Sequence, residues 1–153
     1  MKPTGMEDEQ PSELIASNVG ESAPASAQAC VLLVEDDRSV RRYLEVTLQR
    51  SGYRVITAND GLEAMKLALS SEIDVVVTDA IMPHLSGQQL AAFFRSNSNL
   101  SSIPIILLTG QENKPNKASP DNLIDTFLYK PVNARELIKC LERMLAQSQN
   151  PDE

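Results

Sequence analysis

The sequence predicts a doubly wound α/β fold: a five-stranded parallel sheet of order 2-1-3-4-5 with helices on both faces. Two observations lead to it. Short, continuous aliphatic blocks recur along the chain, and between them apolar residues return at helical spacing. Continuous rather than alternating apolarity marks strands covered on both faces, as in a parallel sheet. Strands alternating with helices through right-handed crossovers build such a sheet, and its ligand crevice lies at the carboxyl ends of the first and third strands.

Taken in order, Val31-Leu32-Leu33-Val34 forms strand β1 (31–34). Helix α1 (38–51) places Val40, Tyr43, Leu44, Thr47 and Leu48 on one face, with Asp37 as N-cap and Gly52 just past its end. Arg54-Val55-Ile56-Thr57 is a weaker strand, β2 (54–57), suited to a sheet edge. Helix α2 (61–70) presents Leu62, Met65 and Leu69 as its expected core face. Val75-Val76-Val77 anchors β3 (74–78), and Leu90, Phe93 and Phe94 mark α3 (87–96). Ile105-Ile106-Leu107-Leu108 gives β4 (104–108), and Thr126-Phe127-Leu128-Tyr129 gives a second edge strand, β5 (126–129). The last helix, α4 (133–146), carries Leu137, Cys140, Leu141, Met144 and Leu145 on one face. Asp60 with Glu63, Ser86 with Gln89 and Asn133 with Glu136 have the capping-box spacing at three helix starts.

The chain has 153 residues, 42% of them hydrophobic and 23% charged, which suits one globular domain with a tail. Residues 1–28 hold one Lys against five acidic residues, with three prolines and many Ser and Ala, and read as a disordered acidic tail. The ordered domain is expected over 29–147, with 148–153 a disordered C-terminus. A net charge of −7 argues against direct binding to nucleic acid or an anionic membrane. No apolar run approaches the ~20 residues of a membrane helix, and the first thirty residues are acidic and lack the apolar block of a signal peptide, so a cytoplasmic location is expected. Cys30 and Cys140 have neither CxxC spacing nor neighbouring metal ligands and read as inert buried thiols.

One rim of this fold collects the chemistry. Glu35, Asp36 and Asp37 follow β1, Asp79 follows β3, Thr109 follows β4, and Lys130-Pro131 follows β5. Asp37 is accounted for as a helix cap, but Glu35, Asp36 and Asp79 come from separate strands and converge. Two unit charges ~4 Å apart repel by about 4 kcal/mol at an effective dielectric of about 20, so the cluster calls for a cation or protons. A hard divalent ion held by carboxylates, water and phosphate oxygen is the Mg²⁺ pattern. The turn after β1 lacks GxGxxG, and no GxxxxGK[ST] occurs, which excludes the common nucleotide cradles. The single histidine, His84, sits in a loop after Pro83 and is given no role.

Four motifs in order, VLLVEDD, VVVTDAIMPHLSG, PIILLTG and FLYKP, resemble the receiver domain of two-component response regulators over about Cys30 to Ala146. The resemblance implies a flavodoxin-like (βα)5 three-layer sandwich. It implies that Asp79 accepts a phosphoryl group from a histidine kinase or histidine phosphotransfer protein. Glu35, Asp36, Asp79 and the backbone carbonyl of Ile81 would hold Mg²⁺. Thr109 matches the hydroxyl that moves to the phosphoryl oxygen, Lys130 the cation that pairs with it, and Phe127 the aromatic switch position. Met82, Pro83 and Gly87 match the loop that shapes the site, and Pro131 a proline often in cis. The same likeness implies self-catalysed phosphorylation and dephosphorylation without a separate substrate, rather than a free-standing enzyme.

The sequence departs from the family between Thr109 and Phe127. Pro115 and Pro120 interrupt the place of the family's fourth helix, which is expected to be irregular or shortened. Gly110 stands where the family usually has Ala. Ile81 and Gln111 match positions bordering the path of hydrolytic water, and an apolar Ile81 is expected to slow loss of the phosphoryl group. With only QSQNPDE after the last helix, the chain is expected to signal through protein contacts to a downstream protein target, as a monomer or weak homodimer. It would be a single-domain regulator, a relay intermediate or a receiver excised from a hybrid kinase. Two other readings compete. One is a receiver-like scaffold that binds partners without phosphate. The other is a phosphatase of the haloacid dehalogenase type, which needs a second Asp where this chain has Ile81.

Overall fold

The computed structural model describes residues 29–110 and 123–148. The expected acidic tail, most of the proline-interrupted segment and residues 149–153 lie outside them. The strands are β1 (Cys30–Val34), β2 (Arg54–Ala58), β3 (Val75–Asp79), β4 (Ile105–Thr109) and β5 (Thr126–Tyr129). The helices are α1 (Arg38–Arg50), α2 (Gly61–Ser70), α3 (Gly87–Ser96) and α4 (Ala134–Ser148). All strand pairs are parallel, in the order β2-β1-β3-β4-β5, as the aliphatic blocks predict.

Alternate strand residues point to opposite faces, which splits the core in two. Val31, Leu33, Val75, Val77, Ile106 and Leu108 meet Leu44 and Leu48 of α1 and Leu137 and Leu141 of α4 on one face. Leu32, Val34, Val76 and Ile105 meet Ala64 and Ala68 of α2 and Leu90, Ala91 and Phe94 of α3 on the other. Cys30 and Cys140 are buried free thiols, one in each core.

The expected core face of α2 is corrected here. Leu62 and Leu69 are 51% and 63% exposed, and Gly61, Ala64 and Ala68 are the buried residues. Helical spacing fits both stripes, and close approach decides between them. A Cβ on Gly61 would come within 2.6 Å of the Leu85 side chain, so no larger residue fits at the start of this helix. Tyr43 on α1, also assigned inward by spacing, is exposed.

The caps follow the sequence closely. Asp37 Oδ1 accepts from the Val40 N–H at 3.0 Å, Ser86 and Gln89 close a reciprocal capping box, and Asn133 Oδ1 accepts from the Glu136 N–H at 3.1 Å. Asp60 accepts from the Glu63 N–H at 2.9 Å, but Glu63 reaches one residue further back, to the Asn59 N–H at 2.6 Å. Gly52 takes φ 100°, the left-handed conformation that ends α1. Both β3 and β4 start and end one residue later than the ranges 74–78 and 104–108 expected for them, so Asp79 and Thr109 are the last residues of their strands. Asp74 stays outside the ladder, and its carboxylate accepts the Cys30 N–H at 2.7 Å. Among the described residues no helix is long and apolar enough to cross a membrane.

Candidate functional site

The parallel register sets the rim. Val34, the last residue of β1, lies opposite Thr78, which puts Glu35 beside Asp79. Asp79 in turn lies opposite Leu108, next to Thr109, and the Lys130 N–H donates to the Thr109 carbonyl at 2.8 Å. Four strand ends therefore deliver the predicted residues to one edge of the sheet.

Glu35, Asp36 and Asp79 each place a carboxylate oxygen within 4.8 Å of the others. Asp36 is exposed, whereas Glu35 and Asp79 are buried. Glu35 is only 1% exposed and is pinned at several atoms. Its N–H donates to the Ala58 carbonyl at 3.2 Å, its carbonyl accepts from Arg41 Nη1 at 2.7 Å, and its Oε2 accepts the Asp37 N–H at 3.0 Å. Its other oxygen, Oε1, is buried with no hydrogen-bond partner. Burial pushes the Glu35 carboxyl from its ordinary 4.5 up to about 7, with Asp79 and Asp36 adding to the rise against the Asp37 N–H and Lys130.

Lys130 supplies the cation. Its Nζ lies 2.7 Å from Asp79 Oδ1 and 3.9 Å from Glu35 Oε1. Burial alone would lower the ammonium's pKa, but the bond to Asp79 and the charges of Glu35, Asp79 and Asp36 raise it, so Lys130 stays charged. The Lys130–Pro131 peptide is cis.

An all-oxygen donor set with one buried, unpartnered carboxylate oxygen fits a hard divalent cation.

Thr109 is buried, and its hydroxyl donates to the Gly110 carbonyl at 3.3 Å. Phe127 is half-buried on β5, opposite Leu107. Ile81 sits two residues beyond Asp79 with its side chain 62% exposed. Met82 is buried below the loop, its sulfur 4.0 Å from the Thr78 hydroxyl. The Gly87 N–H donates to the Ala80 carbonyl at 2.9 Å, and a Cβ there would collide with the Asp79 carbonyl oxygen. His84 is exposed with φ 73° and contributes nothing to the acidic cluster. Gln111 lies outside the described residues.

Sequence reasoning passed over Arg41. It is one of four arginines on α1, Arg38, Arg41, Arg42 and Arg50, and nothing in the spacing singles it out.

Comparison with known proteins agrees with this geometry. The family described as the response regulator receiver domain matches residues 31–142. The response regulator MprA of Mycobacterium sp. (strain KMS) is 36% identical over 124 residues, covering 80% of this chain and 53% of that protein. The chain thus spans about half the length of the curated relatives it matches. Among solved structures, the chemotaxis response regulator CheY4 of Vibrio cholerae is 36% identical with a TM-score of 0.70, covering 76% of this chain and 98% of that one. The receiver domain of the sensor histidine kinase PA1611 from Pseudomonas aeruginosa, solved with magnesium in its active-site cleft, is 28% identical with a TM-score of 0.70, covering 78% and 98%. With the acidic cluster, the strand order and the family match all in agreement, the chain belongs to the response regulator receiver domain family of two-component signalling.

Proposed function

We propose that the domain, over about 29–147, accepts a phosphoryl group on Asp79 from a histidine kinase or histidine phosphotransfer protein and acts as a switch through protein contacts. The observation that carries this reading is the 2.7 Å pairing of Lys130 with Asp79 beside two further carboxylates. A carboxylate oxygen of Asp79 attacks the phosphorus of phosphohistidine, the P–N bond breaks, and the imidazole leaves with the electron pair and regains a proton. The O–P bond formed makes Asp79 an acyl phosphate. Anion approaches anion in that step, so positive charge fixed at the reacting oxygens lowers the barrier. Lys130 is that charge on the protein side.

Glu35, Asp36 and Asp79, with the Ile81 carbonyl, are the residues that would hold Mg²⁺. When bound, the ion supplies charge neutralisation at the phosphoryl oxygens. The PA1611 receiver domain, solved with magnesium in its active-site cleft, supports this assignment.

The product adds about two negative charges. Thr109 would exchange its bond to Gly110 for one to the phosphoryl oxygen, and Phe127, half-buried one strand over, would report that shift to a partner. A reversal from 1:99 to 99:1 needs about 5.5 kcal/mol of differential bonding, within reach of an ion pair and charge-assisted hydrogen bonds. A cytoplasmic location fits this role.

Beryllofluoride with Mg²⁺ tests the reading by amide NMR. Shifts at residues 79, 109 and 127 that vanish in Asp79→Asn are expected. A spectrum that ignores beryllofluoride would support the scaffold instead.

A further inference from the structure

We infer that Arg41 is a positioning residue for the metal-binding acids, an inference that rests on the reading of the site as a Mg²⁺ centre. Arg41 lies on the first turn and a half of α1, half-buried, and its own N–H donates to the Asp37 carbonyl at 2.9 Å. From there its Nη1 reaches back to the Glu35 carbonyl at 2.7 Å. That bond completes the restraint of the turn. The Glu35 N–H is held by Ala58, its carbonyl by Arg41 and its Oε2 by the Asp37 N–H, and Oε1 is the atom left over, beside Asp79 and Lys130.

The turn has to be held because its contents repel. Glu35 and Asp36 are adjacent in the chain and both face Asp79, so without restraint the acids would swing apart into solvent. A guanidinium bonded to the carbonyl of the first acid resists that motion by a charge-assisted hydrogen bond, and it does so without occupying a carboxylate oxygen. Arg41 therefore acts through Glu35 and Asp36 and touches neither metal nor phosphoryl group.

The sign of its effect separates this role from simple charge. Removing a cation near an anionic site should strengthen Mg²⁺ binding by electrostatics alone, whereas loss of the restraint should weaken it. Arg42 is the control, an exposed neighbour whose partner is Glu45 at 3.5 Å. Calorimetric Mg²⁺ titration would compare wild type, Arg41→Met, Arg41→Lys and Arg42→Met, with amide shifts of the metal-free proteins recorded in parallel. Outer-shell partners of metal ligands typically contribute about 10–100-fold in affinity, so Arg41→Met is expected to weaken binding by about tenfold or more. The Lys variant should recover part of the loss, Arg42→Met should not weaken binding, and the metal-free shifts should move at residues 35–37. If Arg41→Met does not fold, Arg41→Gln, too short to span to the carbonyl, takes its place. An Arg41 variant that binds Mg²⁺ as tightly as Arg42→Met overturns the inference while leaving the site reading intact. A wild-type protein that takes up no Mg²⁺ overturns both.

Discussion

Lys130, just past the end of β5, reaches across β4 to place its ammonium 2.7 Å from the carboxylate of Asp79 at the end of β3. A pair this close, with Glu35 Oε1 only 3.9 Å from the same ammonium, fixes where charge is compensated before any phosphoryl donor arrives.

Lys130→Ala should therefore separate binding from chemistry. The variant loses a cation aimed at the reacting oxygen, and removal of such a preorganised group costs about a hundredfold in rate. Mg²⁺ uptake should persist, since the carboxylates lose a competitor rather than a ligand. Stopped-flow phosphorylation by acetyl phosphate alongside calorimetric Mg²⁺ titration checks both halves. An unchanged rate would remove Lys130 from the mechanism.

Glu35 makes the metal-free protein sensitive to pH. Its folded carboxyl is raised from the ordinary 4.5 to about 7, so folding favours the protonated form. That contribution is complete below about 4.5 and fades as pH rises through about 7. Metal-free protein should thus lose stability between pH 5 and about 7.5, while Mg²⁺, which needs the ionised form, should bind more tightly over the same interval. Urea unfolding with and without Mg²⁺ at a series of pH values tests the opposed slopes. Parallel slopes would contradict the assignment.

Gly87→Ala should destabilise the fold although Ala is the better helix former. The added methyl would collide with the Asp79 carbonyl oxygen and lie 2.6 Å from Leu107 Cδ1. Overpacking costs about 1–3 kcal/mol, against about 1 kcal/mol gained in helix propensity. Net loss in denaturant unfolding, with slower phosphorylation because the strain falls on Asp79 itself, is the expected result. A stabilised variant would show that the loop yields freely.

Ile81→Asn should shorten the life of the phosphorylated state. Ile81 stands two residues past Asp79 with its side chain 62% exposed, so a polar group there can hold water near the acyl phosphate without disturbing the core. Decay of the phosphorylated protein, followed by intact mass, should be faster in the variant. Equal or slower decay would refute the idea.

Much of this was legible in the residues because strand ends and helix caps are local signals. Asp37, Ser86 and Asn133 cap where their spacing places them, and the five aliphatic blocks give the sheet its order. The rim was legible for the same reason, since a parallel sheet brings the carboxyl ends of its strands to one edge. The face of α2 was legible only in part, because Leu62, Met65 and Leu69 satisfy helical spacing as well as Gly61, Ala64 and Ala68 do, and of the first three only Met65 packs against the core. At Gly61 the close approach of Leu85 leaves no room for a larger side chain. Arg41 was missed for a different reason. Its partner is a backbone carbonyl, and carbonyls carry no sequence signature.

The most direct measurement is the intact mass of wild type and Asp79→Asn after incubation with acetyl phosphate, with and without Mg²⁺. The account predicts that wild type gains one phosphoryl group only when Mg²⁺ is present, and that the variant gains none. A phosphoryl group carried by Asp79→Asn, or a wild-type protein left unmodified in Mg²⁺, would contradict it.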